Sequence, residues 1–257
     1  MLRRIAVFAY GIASYAIFFA TFLYAVGFVG NIIVPKSMDS APGRSLGIAL
    51  LINIVLLAIF AVQHSVMARP AFKRWWTKTV STEAERSTYV LLSSLALILL
   101  FAMWQPLGGV IWDLRGTPAA AIMMSLFVFG WLLVLVSTFL INHFDLFGLR
   151  QVWLYLRGKE YTPLRFVTPG PYKWIRHPLY VGWLFAFWAT PTMTVTHLVF
   201  AVATTAYILM AIRLEERDLI TIHGPQYAEY RRKVPMFVPR IFGKRSDRIG
   251  QPQSDTV

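Results

Sequence analysis

Long unbroken apolar runs, divided by short charged loops, organise this chain. Asp, Glu, Lys and Arg are absent from residues 5–35, 45–68, 87–112 and 116–144. Each run exceeds the roughly 20 residues that carry an α-helix across a hydrocarbon core. The pattern therefore predicts membrane-spanning helices over residues 5–30, 46–67, 88–105 and 119–141. A fifth uncharged segment, 177–212, is different. As one helix it would reach about 54 Å at 1.5 Å per residue, far beyond a bilayer core. Ala189-Thr190-Pro191-Thr192-Met193-Thr194-Val195-Thr196 interrupts it with a proline and repeated threonines. Two short helices folded into a hairpin are the expected result.

The fold class that follows is all-α: a polytopic transmembrane helical bundle of four long spans, then a C-terminal helical hairpin and a cytoplasmic helix. Residues 1–141 form the N-terminal bundle and 177–241 the hairpin module. Between them, 142–176 is dense in aromatics and punctuated by Gly148, Gly158, Pro163, Pro169, Gly170 and Pro171. Such loops fold back as lids or interfacial helices. The polar, basic stretch 242–257 is expected to be disordered. The first apolar run is longer than the roughly 7–15-residue core of a signal peptide, and no small-residue cleavage site closes it, so its retention is expected.

Composition agrees with a membrane protein: 57% of residues are apolar and 14% charged. The net charge of +13 would otherwise point to nucleic acid, but its distribution points to topology. Two basic residues precede the first span, two lie in 31–44 and five in 69–86. One lies in 105–118, six in 142–176 and nine from Arg213 onward. This alternation follows the positive-inside rule. It places both termini and the loops 69–86 and 142–176 in the cytoplasm, with 31–44 and 105–118 opposite. The chain has no cysteine, which removes disulfides, thiolate metal sites and a cysteine nucleophile.

The candidate chemistry sits at the ends of the 177–212 segment. Arg176-His177-Pro178-Leu179-Tyr180-Val181-Gly182 opens it and Glu215-Glu216 follows it. An interfacial boundary accounts for the first motif on its own: Arg snorkels, Tyr joins the aromatic belt and Pro opens a helix. A helix starting at Pro178 also offers free N–H groups to an anion, and Gly182 would let a flat ligand approach the backbone. The Glu pair reads either as a solvated helix end or as acids held at the membrane boundary for function. Next comes His223-Gly224-Pro225-Gln226-Tyr227-Ala228-Glu229-Tyr230, a turn followed by an aromatic helical face, and then Val234-Pro235-Met236-Phe237-Val238-Pro239-Arg240.

In order and spacing, residues 165–241 resemble the catalytic module of the superfamily that includes the isoprenylcysteine carboxyl methyltransferases and phospholipid N-methyltransferases. Across nearly the whole chain, the motifs Gln63-His64-Ser65-Val66-Met67-Ala68-Arg69-Pro70, Phe72-Lys73-Arg74-Trp75-Trp76, Glu85-Arg86-Ser87-Thr88-Tyr89 and Asn142-His143-Phe144-Asp145-Leu146-Phe147-Gly148 resemble the bacterial methanethiol S-methyltransferases, often grouped with NnrU-type membrane proteins. The resemblance implies S-adenosyl-L-methionine bound at the cytoplasmic face of a bacterial inner membrane, and methanethiol methylated to dimethyl sulfide. It implies Arg176 and His177 on the methionine carboxylate, and Glu215 or Glu216 on its ammonium. Tyr180, Tyr227 and Tyr230 would then supply aromatic faces for adenine or sulfonium.

Such a transfer is an in-line displacement that needs a thiolate, and a nearby base would help form it. His143 and Asp145, in the unit beginning at Asn142, are the leading candidates. His64 and Arg69, ending the second span, are the alternatives for substrate handling or gating. His197 is expected to be structural. No metal is expected, since no His pair has the i, i+4 or HExxH spacing. The implied partners are a small thiol and the lipid bilayer, with no nucleic acid and no obligate protein. Two rivals stay open: a lipid or prenylcysteine methyltransferase using the same module, and a non-enzymatic NnrU-type transport or assembly protein.

Overall fold

A computed structural model describes residues 1–239; the expected disordered stretch 242–257 lies outside the described residues. The apolar runs become α1 (Leu2–Gly30), α2 (Leu46–Ala68), α4 (Thr82–Met103) and α5 (Pro118–Ile141), with the short α3 (Pro70–Trp76) after α2. Each predicted span is recovered to within a few residues, except that α4 begins earlier, at Thr82, with Glu83 and Glu85 in its first turn. Acids there complement the positive end of the helix dipole.

The 142–176 stretch holds α6 (His143–Leu146), α7 (Leu149–Leu156) and a 3-10 turn at Gly170–Lys173. Helix α7 lies against α1. Its Val152 is fully buried and fills the space left by Gly11, where a Cβ would come within 2.6 Å of a Val152 methyl.

The hairpin is present but unequal. Its first arm, α8, is Pro178–Trp188; its second, α9, is Val195–His223 and runs straight through Glu215-Glu216. The expectation of two short helices is corrected on that point. Charged residues at the C-terminal end of 177–212 do not stop the helix, because Arg, Leu and Glu are all good helix formers. Gly224, at φ 56°, ends it instead, and α10 (Pro225–Lys233) follows with proline at its first turn. Among the described residues five helices are thus long and apolar enough to cross a membrane: α1, α2, α4, α5 and α9.

Unequal arms raise a geometric problem. Helix α8 covers roughly 16 Å, whereas the Val195–Glu216 part of α9 covers about 32 Å. The extended residues 189–194 follow the short arm, and their backbone groups need hydrogen-bond partners outside a helix. A two-stranded antiparallel ribbon supplies them. In it β1 (Val110–Asp113) pairs with β2 (Thr192–Thr194), Trp112 opposite Met193 and Asp113 opposite Thr192. Beyond the ribbon, Leu114 N–H donates to Pro191 O at 2.8 Å and Val195 N–H to Gly109 O at 3.1 Å. Thr194 Oγ1 then caps α9 by accepting from His197 N–H at 3.0 Å.

Helices α5 and α8 form the most extensively packed pair. Gly130 and Gly182 face each other there: a Cβ at Gly182 would lie 2.8 Å from Gly130 O, and one at Gly130 2.7 Å from Gly182 O. Small residues let membrane helices approach to backbone contact. This pairing fixes where the N-terminus of α8, and therefore His177 and Tyr180, is held. Phe28, Trp104, Phe127, Trp131 and Phe200 build the main core on the opposite half of the bundle.

Candidate active site

Two structural joints bring the ends of the hairpin together. Arg176 Nε donates to Glu216 Oε1 at 2.7 Å, and His177 Nε2 lies 3.0 Å from the same oxygen. Arg231 Nε of α10 reaches the other oxygen, Oε2, at 2.9 Å. Glu216 is therefore almost wholly enclosed (3% exposed) and satisfied on both oxygens. A buried carboxylate in such a place needs this many donors to offset its desolvation. Arg176 is equally committed. Its Nη1 donates to the carbonyls of Arg231 and Val234, and the backbone N–H groups of Arg176 and His177 donate to Pro235 O and Met236 O. The Val234-Pro235-Met236 segment thus runs alongside Arg176-His177 as a short extended pair.

One residue before Glu216, the second joint is lighter. Tyr180 OH donates to Glu215 Oε2 at 2.8 Å, and Glu215 Oε1 has no hydrogen-bond partner among the described residues. Close by, the hydroxyl of Tyr172 is buried next to Ser137 Oγ, and neither oxygen has a hydrogen-bond partner of ordinary geometry. Burial, followed by the neighbouring Glu215 carboxylate, pushes the Tyr172 phenol well above its ordinary range. It stays a neutral donor at any physiological pH.

Tyr227 is buried, and Tyr230 OH donates to Tyr172 O at 2.7 Å. The rings of these two tyrosines lie 5.8 Å apart. Phe166, from the 142–176 stretch, packs edge-on against both and also against His223. Burial raises the Tyr230 phenol to about 12. An aromatic cluster of Phe166, Tyr227 and Tyr230 therefore stands next to the carboxylate pair.

The remaining expected residues are placed elsewhere. Gly182 faces α5, so the space beside it is filled by Gly130 and Val134 and offers no approach to a flat ligand. His143 is buried, with Tyr15 OH 2.7 Å from Nε2 and Thr138 Oγ1 2.8 Å from Nδ1. Its ring stacks on Phe139 at 4.2 Å. Burial lowers its pKa, so it is a neutral imidazole with both nitrogens engaged. Asp145 points to different partners: Arg150 Nη1 at 2.9 Å and Tyr161 OH at 3.3 Å. Asn142, at φ 139°, caps α6 by accepting from Asp145 N–H at 3.1 Å. The expected His143–Asp145 unit is thus a helix start with diverging side chains, because a left-handed Asn142 turns the chain sharply at the end of α5.

Asp145 and Asn142 line a cleft of about 760 Å³, together with Arg4, Lys73, Arg86 and Tyr161. None of the Glu215/Glu216 partners lines it. His64 and Arg69 belong to a further cluster. His64 lies 3.0 Å from Tyr89 OH, and Arg69 pairs with Asp218 of α9 at 2.8 Å. Among the described residues no group of three or more His, Cys, Asp or Glu converges as a metal site. His197 is fully buried, with Nε2 2.8 Å from Phe187 O.

Sequence reading passed over Tyr172, Arg231 and Phe166 as site residues. Tyr172 and Phe166 stood in an aromatic-rich loop without a distinguishing neighbour. Arg231 stood in a basic run, where only the fold shows which guanidinium turns inward.

The model of the isoprenylcysteine carboxyl methyltransferase (ICMT) family matches residues 161–221, which carry Phe166, Tyr172, Arg176, His177, Tyr180, Glu215 and Glu216. A multi-pass helical bundle built around this segment is a membrane methyltransferase. Over 245 residues the chain is 60% identical to the methanethiol S-methyltransferase of Crocosphaera subtropica, covering 95% of this chain and 96% of that one. It is 54% identical to methanethiol S-methyltransferase 2 of Bradyrhizobium diazoefficiens over 95% and 94% of the two chains. For the methanethiol S-methyltransferase of Mycobacterium tuberculosis the identity is 52%, over 93% and 98%. No solved structure matches the chain. The chain belongs to the methanethiol S-methyltransferase family.

Proposed function

We propose that this protein transfers a methyl group from S-adenosyl-L-methionine to methanethiol, releasing dimethyl sulfide, at the cytoplasmic face of a bacterial inner membrane. The observation that carries this reading is the pair of joints at the hairpin ends, Arg176 and His177 on Glu216 and Tyr180 on Glu215, inside the family-matched segment. The acceptor is taken from the names of the relatives. The basic 142–176 stretch, which the positive-inside rule assigns to the cytoplasm, supplies Phe166 and Tyr172 to the site.

The donor set suits a sulfonium-bearing amino acid. Glu215 has a carboxylate oxygen without a hydrogen-bond partner among the described residues for an ammonium, and the buried Tyr172 hydroxyl has only the poorly aligned Ser137 hydroxyl beside it. The half-buried Tyr230 and Phe166, backed by the enclosed Tyr227, offer aromatic surface for an adenine. Glu216 has no such capacity left and instead holds Arg176, His177 and Arg231 in place. Of the two acids, Glu215 is therefore the ligand and Glu216 the organiser. When bound, the sulfonium supplies an activated methyl group. The residues contribute orientation, since alignment of nucleophile and leaving group is the chief demand of in-line displacement.

The test is purified protein in detergent with S-adenosyl-L-methionine and three acceptors in parallel: methanethiol, a prenylcysteine analogue and phosphatidylethanolamine. Dimethyl sulfide in the headspace, with no methylated lipid or prenylcysteine, is the expected result. Methylation of either larger acceptor without dimethyl sulfide would replace this reading with its superfamily rival.

A further inference from the structure

The binding of a methyl donor leaves unexplained a second polar cluster, between α2, α4 and α9 and mostly outside the family-matched segment. His64 of α2 lies among α4 hydroxyls: Ser93 Oγ is 3.2 Å from Nδ1, and Tyr89 OH is 3.0 Å from both ring nitrogens. Phe60, one turn earlier, stacks on the ring at 5.1 Å. Gln63 donates Nε2–H to Ser93 at 3.3 Å, while its carbonyl Oε1 is buried without a partner. Ser65 and Tyr207 share a hydrogen bond of 3.0 Å. The charges nearest His64 are Arg86 of α4 and Arg69 at the end of α2, the latter paired with Asp218 of α9. Polar side chains inside a membrane bundle carry a free-energy cost and mark functional positions.

The cluster borders the donor site, because Tyr207 and Tyr89 are electrostatic neighbours of Tyr180, the residue that donates to Glu215. It also borders a seam. Contacts of α2 with α9 are sparse, consisting chiefly of Phe60 and Ser65 against Tyr207 and Arg69 against Asp218. A small apolar thiol dissolved in the bilayer would meet the cluster along this seam.

We propose that His64 accepts the proton of the acceptor thiol, with Tyr89 and Ser93 as positioning residues that fix its ring. The proposal rests on the thiol methylation put forward above. A base needs a nitrogen lone pair that is not already used. Ser93 engages only Nδ1, and Nε2 is met only by the Tyr89 hydroxyl, which lies 3.0 Å from both nitrogens and can turn to Nδ1 when Nε2 takes a proton. His143, by contrast, has a separate hydroxyl at each nitrogen.

In the step, the S–H bond of the thiol breaks and its proton goes to the imidazole. A sulfur lone pair forms the new S–C bond. The methyl–sulfur bond of the sulfonium donor breaks, its electron pair staying on the donor sulfur. The imidazole gains the positive charge that the sulfonium loses, so the site's net charge is unchanged.

Purified His64→Gln, His64→Asn and Tyr89→Phe proteins test this through pH profiles and donor binding. Both His64 variants should bind S-adenosyl-L-methionine within twofold of wild type by calorimetry, and lose about 100-fold in kcat on methanethiol at pH 7. That loss should shrink about tenfold per pH unit on the way up to the thiol's own pKa, as solution supplies thiolate. The more acidic 2,2,2-trifluoroethanethiol should be spared most of the loss. Tyr89→Phe should lose less and keep the wild-type profile. A His64 loss that is constant from pH 7 to 10, an undiminished rate, or loss of donor binding would each overturn the proposal.

Wild-type protein gives a check that needs no variant: its kcat should stay flat where free methanethiolate rises about 100-fold over two pH units. A rate that tracks the thiolate also overturns the assignment of His64. Wild-type protein that binds no donor, or makes no dimethyl sulfide, would instead remove the function the proposal rests on.

Discussion

Adjacent glutamates with opposite duties are the residue-scale result. Glu216 is enclosed by three cationic or potentially cationic side chains, whereas Glu215 touches one phenol. Substituting one or the other should therefore fail in different ways. Glu215→Gln should weaken S-adenosyl-L-methionine binding at least tenfold in calorimetry and leave the thermal midpoint unchanged. Glu216→Ala strands Arg176, His177 and Arg231 and should cost roughly 3 kcal/mol or more of stability, visible as a lower midpoint in detergent. Equal midpoints for the two variants would reject this division. The sequence offers Arg176, His177 and the Glu-Glu pair as separate contacts to a donor; it does not show that Arg176 and His177 bond Glu216, and it does not separate the two acids. Consecutive residues on a helix point about 100° apart, and only the positions of α8 and α10 decide which of them meets the guanidiniums.

At the scale of elements, a short helix completed by an extended segment gives the hairpin its unequal arms. The close contact of Gly130 with Gly182 sets the depth of α8, so Gly182→Leu has to push α8 away from α5. Overpacking of this kind costs about 1–3 kcal/mol. Because α8 carries Tyr180, donor affinity should fall together with the thermal midpoint; normal affinity would show that α8 is positioned by something else. This glycine was misread as a ligand approach, since glycine for a ligand and glycine for a neighbouring backbone look identical in one chain.

On the opposite side of the bundle, Asp39 ties the 31–45 loop to the hairpin turn. It accepts from Asn31 at 2.7 Å, is bonded by Thr194, and lies 3.5 Å from His197 Nδ1. Burial alone would raise its pKa, but the hydrogen bonds from His197, Thr194 and Asn31 outweigh it and hold the carboxyl below its ordinary value of 3.8. A depressed folded-state pKa contributes stability above the unfolded value, and that stability is lost as the pH falls through the folded one. The midpoint gap between wild type and Asp39→Asn should be widest at pH 7 and should close below about pH 4. A gap independent of pH would show that the charge of Asp39 contributes nothing.

For the whole molecule, the apolar runs make the bundle legible in the sequence alone. Long uncharged segments have only one inexpensive way to satisfy their backbone in lipid. The β1–β2 ribbon was not legible. Its strands are four and three residues long and lie far apart in the chain, and it exists because an eleven-residue helix needed an extended completion. Since the chain contains no cysteine, its orientation can be tested with single introduced thiols. In intact cells a membrane-impermeant maleimide should label Arg44→Cys, in the 31–44 loop, and should reach Lys78→Cys only after lysis. The reverse pattern would invert the topology.

The pairing of Arg176 and His177 with Pro235 and Met236 has a bearing on biogenesis. All five spans precede residue 224, but the backbone partners of Arg176 and His177 come only with Pro235 and Met236. A polypeptide stalled or cut before position 234 would settle in the bilayer as a well-formed, inert scaffold. Quality control that inspects transmembrane packing alone would pass it.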